Sequence, residues 1–303
     1  MIPKIISCLL PAIIISGCCL YKPLKSEVKQ VVSGEPNNTL KIWALSDIQP
    51  KNDEQKRELD DAIRDINKNV PDIDFAIVAG DIVNDADERD FDWYISTKPS
   101  SYIKVWYEIA GNHDLKLDRG EGYKRKIGGD FYYSVAKGNI LFIFMSNEAR
   151  GKATYISDET FNWWRDLVIS NQDKIIVVIT HAPLQGSGIP FSSMHDKQVL
   201  DSGRFARVLK DYRVDMWISG HLHLPHSFTN NIVVKKKYNG TIFMNISSVR
   251  TELLGLKDSE SRILTFSCGS DQVLIRSRNH TERKYGKDLD ATFKISKGYK
   301  CDN

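Results

Sequence analysis

Five apolar runs in this chain each end in side chains able to bind a metal ion. Residues 40–45 lead to Asp47 and Gln49, 75–79 to Asp81, 102–110 to Asn112, 175–179 to His181, and 216–219 to His221 with His223. One such ending means little, because solvated loops and helix caps use the same residue types. Five in succession call for a fold that sets the ends of separate strands side by side, as open α/β sheets do where they bind ligands. Two endings are dense: Gly111-Asn112-His113-Asp114 and Gly220-His221-Leu222-His223 hold three of the 7 histidines. Carboxylate, carboxamide and imidazole together make a mixed oxygen and nitrogen donor set suited to Mn, Fe or Zn.

Helical patterns separate the apolar runs. Leu59, Ile63, Ile66 and Val70 recur at helical spacing before Pro71, which stops the helix. Residues 131–135 and 140–145 flank Ala136-Lys137-Gly138-Asn139, a hairpin signal. Ser157, followed by Asp158 and Glu159, reads as an N-cap. Phe161, Trp164 and Val168 then share a face, and the Trp163-Trp164 pair reads as packing rather than a sugar platform. Phe205, Val208, Leu209 and Tyr212 mark another helix, and 241–246, 263–266, 273–275 and 291–295 read as further strands. The alternation over 40–298 predicts one α/β layered domain with a short tail at 299–303.

The N-terminus differs in kind. Lys4 precedes an apolar stretch from Ile5 to Ile15, too short for a bilayer-spanning helix, which takes about 20 residues, and suited to a secretory signal at 1–17. Ile15-Ser16-Gly17-Cys18 resembles the lipobox of bacterial lipoproteins. That resemblance implies cleavage before Cys18, acylation of its thiol and new amino terminus, and anchoring to a bacterial envelope membrane. Residues 18–39 are polar and carry Pro23, Gly34 and Pro36, as expected of a tether. None of the 5 cysteines forms a Cys-x-x-Cys pair, which argues against structural zinc; in an exported chain Cys268 and Cys301 could form a disulfide. A formal charge of +3, interspersed along the chain, does not make the basic face of a nucleic-acid binder, so no nucleic-acid polymer is expected as partner.

The ordered set Asp47-Ile48-Gln49, Gly80-Asp81, Gly111-Asn112-His113-Asp114, His181 and Gly220-His221-Leu222-His223 resembles the metallophosphoesterase, or calcineurin-like phosphoesterase, superfamily. Its signature runs Asp-x-His, Gly-Asp, Gly-Asn-His-Asp or Glu, a lone His, and Gly-His-x-His. The hairpin after the third motif, from Tyr132-Tyr133-Ser134 onward, is also similar. The resemblance implies a layered αββα fold, two packed mixed sheets flanked by helices, and hydrolysis of a small phosphate ester by two divalent metal ions with a hydroxide between them. It implies Asp47, Gln49, Asp81 and His223 on the first metal and Asp81, Asn112, His181 and His221 on the second. His113 would serve the leaving group, and Asp114 would orient His113.

Gln49 departs from the signature, where histidine is usual. A neutral, hard carboxamide oxygen should hold soft divalent metals less tightly than imidazole, and a non-catalytic binding module on the same fold is the rival that Gln49 favours. A mononuclear hydrolase of a non-phosphate bond is a second rival. The second motif lacks the Gly-Asp-x-Val-Asp-Arg-Gly of protein phosphatases, and Asn84 stands where purple acid phosphatases carry tyrosine. The sequence is thus closer to the broad bacterial group with cyclic-nucleotide phosphodiesterase-like members. His195 and His226 read as exposed loop residues, with reach to a substrate as the alternative, and nothing singles out Arg150 or Arg250 as phosphate clamps. The stretches 85–101 and 185–199 are expected to be specificity loops.

Overall fold

A computed structural model describes residues 29–30, 38–251 and 257–301. The expected signal peptide, Cys18 and nearly all of the tether lie outside the described residues. Among those described, no helix is long and apolar enough to cross a membrane.

Seven strands form one sheet: β1 (Lys29–Gln30), β5 (Tyr132–Lys137), β6 (Ile140–Met145), β7 (Ile175–Thr180), β8 (Met216–Ser219), β10 (Thr241–Asn245) and β9 (Ile232–Lys235), in that spatial order. The second runs β13 (Lys284–Tyr285), β12 (Gln272–Asn279), β11 (Glu260–Ser267), β2 (Thr39–Leu45), β3 (Phe75–Val78) and β4 (Trp106–Glu108), with β14 (Ala291–Lys294) also on β12. Within the first sheet β6, β7, β8 and β10 are parallel neighbours; within the second, β2, β3 and β4 are. Parallel strands buried on both faces read as continuous apolar runs, which is why Ile-Ile-Val-Val-Ile in β7 shows no polar alternation.

The sheets pack face to face. Ile42, Ala44, Phe75 and Ile77 of one meet Phe142, Phe144, Val177 and Ile218 of the other in a single apolar cluster. The opposite face of the second sheet takes α1 (Asp53–Asn69), α2 (Glu88–Thr97) and α3 (Glu121–Ile127) through Leu59, Ile63, Phe91, Tyr94 and Tyr123. That of the first sheet takes α4 (Asp158–Ser170) and α5 (Ser202–Asp211) through Trp164, Val168, Phe205 and Leu209. The architecture is the layered αββα arrangement expected. Trp164 is fully buried against Phe205 and Trp217, and Trp163 packs on Tyr132, so both tryptophans serve packing.

Three expectations change. The run 102–110 yields only the three-residue β4, because Tyr102 turns aside to brace the end of α1, donating to Val70 O and accepting from Ile73 N. The stretch 85–101 is mostly helix α2, capped by Asp87, whose carboxylate accepts from Arg89 N. Strands β11 and β12 extend over eight residues each, past the short apolar runs that mark them in sequence. Their buried polar residues find partners on other segments: Arg278 on Asp65 of α1, Arg262 on Asn231, and Glu260 on His226 N. Cys268 and Cys301 do form a disulfide, with Cα atoms 5.6 Å apart, tying the C-terminal segment to the end of β11.

The strongest of these polar contacts joins α1 to β12. The Asp65 carboxylate accepts from buried Arg278 Nε and Nη2 and His280 Nδ1, and from Nδ2 of exposed Asn69. Burial alone would push this carboxyl up; the Arg278 and His280 hydrogen bonds outweigh it and hold the group below its usual range. A depressed carboxyl pKa gives stability that is present above the unfolded value and lost as pH falls through the folded one. His280, held below its ordinary value by burial against Asp65's opposing pull, adds a loss that begins near the unfolded histidine pKa of about 6.5. Asp65→Asn should therefore cost about 3–5 kcal/mol by leaving Arg278 buried without its counter-ion, and should flatten the fall in stability below about pH 4. Urea denaturation across pH measures both.

Candidate metal centre

The carboxyl ends of β2, β3 and β4 in one sheet meet those of β7 and β8 in the other, and the loops that leave them touch. Asp47 N donates to Gly80 O, Gln49 N to Asp81 O, Asn147 N to Ala110 O and Gly220 N to His181 O. Glycine makes this closeness possible. A Cβ on Gly220 would lie 1.8 Å from Ser46 Oγ, and one on Gly111 would lie 2.3 Å from Asp81 Oδ1. Four non-glycine residues at these ends adopt left-handed backbone, Asp47, Asp81, His221 and His223, with φ between 51° and 69°. Each such conformation costs on the order of 1–3 kcal/mol and persists only where surrounding contacts impose it.

Two groups of donors result, Asp81 with His181 and His221, and Asp47 with Asp81 and His223, each with ligand atoms within 4.8 Å of one another. Asp81 belongs to both. His181 Nδ1 lies 2.8 Å from Ala79 O and His221 Nε2 lies 2.9 Å from Asp196 O. Carbonyls only accept, so those nitrogens carry the protons and leave His181 Nε2 and His221 Nδ1 as lone pairs. These two face each other at 3.2 Å, and His181 Nε2 also lies 3.2 Å from Asp81 Oδ2. Lone pairs and a carboxylate so arranged need a positive charge between them. Without a metal ion a proton on His181 Nε2 supplies that charge: burial pushes His181 down, yet the Asp81 carboxylate more than offsets it and lifts the imidazole to about 9. Burial and the neighbouring His181 charge hold His221 at about 4.

The second group shows the same want of a cation. His223 Nε2 lies 3.3 Å from Asp47 Oδ1 and 2.8 Å from the Gln49 carboxamide. Asp47 Oδ1, Gln49 Oε1, Asn112 Oδ1 and His223 Nδ1 are all buried without a hydrogen-bond partner in the protein. Buried polar atoms are nearly always satisfied, so four orphans beside two donor groups fit a metal site. These aspartates and histidines are positioned for metal binding.

A family model described as calcineurin-like phosphoesterase matches residues 40–225, more than half of the chain and every residue of both groups. The chain belongs to that family. Among calcineurin-like phosphoesterases, a curated relative from Moraxella catarrhalis (strain BBH18), named a probable cyclic nucleotide phosphodiesterase, is 23% identical over 170 residues, covering 51% of this chain and 60% of the relative. The chain thus spans less than two thirds of that relative. A purple acid phosphatase from yellow lupin (Lupinus luteus) seeds superposes with a TM-score of 0.63 at 15% identity, over 86% of this chain and 54% of the lupin protein. The anchor in the inner membrane complex of Plasmodium superposes with a TM-score of 0.58 at 14% identity, over 86% of this chain and 90% of the anchor. At such identity the likeness is one of fold.

His113 stands at the edge of the centre, its side chain 24% exposed, with Nε2 4.0 Å from Asp81 Oδ2. Its Nδ1 lies 2.7 Å from Asn84 O, and its backbone N–H donates to Asp81 Oδ1. It is thus Asn84, and not Asp114, that orients the ring. Asp114 turns inward and accepts from the backbone N–H groups of Gly111, Ile82 and Val83, pinning the second and third motifs together. Burial, then the Asp81 charge, push its carboxyl up to about 7.

His226 is also not the exposed loop residue expected. It is buried, with Nε2 accepting from Ser247 N and Nδ1 donating to Ser277 Oγ, and its backbone N–H donates to Glu260. This braces the loop carrying His221 and His223 from beneath. Arg250 is buried and donates to Gln49 O, so it holds the first motif. His195 and Arg150 are exposed.

Gly111→Ala should remove bound metal by driving a methyl group into Asp81, and should destabilise the fold by about 1–3 kcal/mol; elemental analysis and thermal unfolding report the two effects. Gln49→His should raise affinity for Zn²⁺ at the Asp47–His223 group, as a competitive chelator titration would detect.

Proposed function

We propose that this chain hydrolyses phosphate esters at a dinuclear divalent-metal centre. Asp47, Gln49, Asp81 and His223 would hold one ion, and Asp81, Asn112, His181 and His221 the other. The observation that carries the reading is the pair of buried donor groups sharing Asp81, since two-metal phosphoryl-transfer sites hold their ions about 3.5–4 Å apart. Bound there, such a pair supplies Lewis acidity toward phosphoryl oxygens and a hydroxide at neutral pH.

The chain's own residues supply the rest. Asp81 is fixed by His113 N on one oxygen, leaving the other turned to His181. His113, with Nδ1–H committed to Asn84 O, offers Nε2 to the substrate and, as imidazolium, can protonate the leaving alcohol. Asp114 keeps Gly111 and Ile82 in place, so that Asn112 and Asp81 stay in register. The name of the Moraxella relative, a probable cyclic nucleotide phosphodiesterase, supports a phosphodiester among the possible esters.

Export and anchoring through acylated Cys18 at a bacterial envelope membrane belong to the same proposal. The Cys268–Cys301 disulfide supports an oxidising compartment. Gln49 supports the rival, a binding module that has lost turnover.

Purified protein supplied with Mn²⁺ should hydrolyse nitrophenyl phosphate mono- or diesters, and a chelator should abolish turnover. His113→Ala should lower kcat by about 10²–10⁴-fold while metal content stays constant. Two bound metals with no activity across aryl, nucleotide and lipid phosphates would establish the binding module instead.

A further inference from the structure

Beside the metal-binding side chains opens a depression of about 390 Å³ lined by Asn112, His113, Lys116, Arg150, Gly151 and Lys152. Three of its six lining residues are cations and none is an acid. Lys116 is held in place, donating to Asn84 O at 2.7 Å and to Asp85 at 3.0 Å. Arg150 donates from Nε to Leu115 O, which leaves its terminal nitrogens for another acceptor. Lys152 is exposed on the same loop. Asp85, 63% exposed, offsets one of the three charges. The reacting phosphoryl group needs none of these cations, because the metal ions neutralise it.

The pocket shares His113 with the reaction site. On the proposed function, His113 protonates the departing oxygen, so the departing group lies on this side. We propose that the pocket binds a second phosphate, carried by the leaving alcohol: the substrate is an ester whose departing group is itself a phosphomonoester. In the reaction the bond from phosphorus to the alcohol oxygen breaks and a water oxygen bonds to phosphorus. One water proton is released to the medium and the alcohol oxygen takes the His113 proton. Three cations at one mouth favour a dianionic phosphate over a monoanionic carboxylate, since Coulomb attraction grows with the ligand's charge.

Metal-loaded protein should turn over 1,4-phenylene bisphosphate with a kcat/KM at least about tenfold above 4-methylphenyl phosphate, as a charge-assisted contact implies. The preference should fall as salt is raised. In Arg150→Gln/Lys152→Gln the ratio should drop to near unity. Equal values in the wild type, or a ratio that survives the double substitution, overturns the proposal; 4-carboxyphenyl phosphate cleaved as fast as the bisphosphate overturns the choice of phosphate. Calorimetric titration of the same metal-loaded protein with 1,4-phenylenediphosphonate, whose carbon–phosphorus bonds are not hydrolysed, tests the pocket without turnover. Binding at least about tenfold weaker in the double variant is expected, and unchanged binding overturns the proposal. A chain inactive toward every ester that still shows this difference would sink the hydrolase reading and keep the pocket.

Discussion

Mutual repulsion among buried donors governs this molecule. Asp47 and Asp81, the lone pairs of His181 and His221, and His223 crowd into a space where the closest approaches are 3.2–3.3 Å, with almost no water to screen them. In a low-dielectric interior such an arrangement is unfavourable unless positive charge enters it. It forms because the strands beneath are fixed by their own packing. The apolar face between the sheets sets where β2, β3, β7 and β8 end, and the loops have no latitude to spread apart. Stability gained in the apolar layers thus offsets the cost of a centre that binds cations.

The carboxylates have a second task that explains their inflexibility. Asp47 Oδ2 accepts from His221 N and Asp81 Oδ1 from His113 N, so each ties its own motif to another while its remaining oxygen faces the donors. Asp114 ties the second and third motifs together again, with no donor role. Left-handed backbone at Asp47, Asp81, His221 and His223 follows from the same geometry. An extended conformation would carry these side chains along their strands, whereas a sharp turn directs them across the gap between sheets. Substituting any one of these aspartates would therefore disturb the neighbouring loop as well as the charge.

Much of this was legible in the sequence because it rests on local signals. Apolar runs of four to six residues gave β2, β3, β6, β7 and β8, and the polar residues after β2, β3, β7 and β8 gave the donor groups. Helical spacing before Pro71 gave α1, and the cap at Ser157 gave α4. What escaped was built from contacts distant along the chain. Helix α2 carries aromatic residues on a short polar segment, so its periodicity is weak until Phe91 and Tyr94 are seen against the sheet. Glu260, Arg262 and Arg278 made β11 and β12 look shorter than they are, since a charged residue argues against a strand unless its partner is known. His226 and Asp114 were misjudged for the same reason: each was read by what it adjoins in sequence, and each bonds to backbone or side chains far away along the chain.

The centre and its surroundings obey different constraints. The donor groups sit on strand ends locked between two packed sheets, so their geometry changes little with the residues around them. The His113 side of the opening is made of loops, where Lys116 donates to Asn84 O and the Asp85 carboxylate, Arg150 donates to Leu115 O, and Lys152 is exposed. A cation on such a loop can be exchanged without moving Asp81 or His181. On the proposed function, a fixed centre that would neutralise any phosphoryl group, bordered by replaceable side chains that would contact the rest of the substrate, separates chemistry from recognition. Gln49 lies on the fixed side of that division. Its carboxamide reaches His223, and its backbone carbonyl accepts from buried Arg250. On the same proposal, a residue held at both ends in this way would tune the affinity of the centre for its ion, while leaving the choice of ester to the loops.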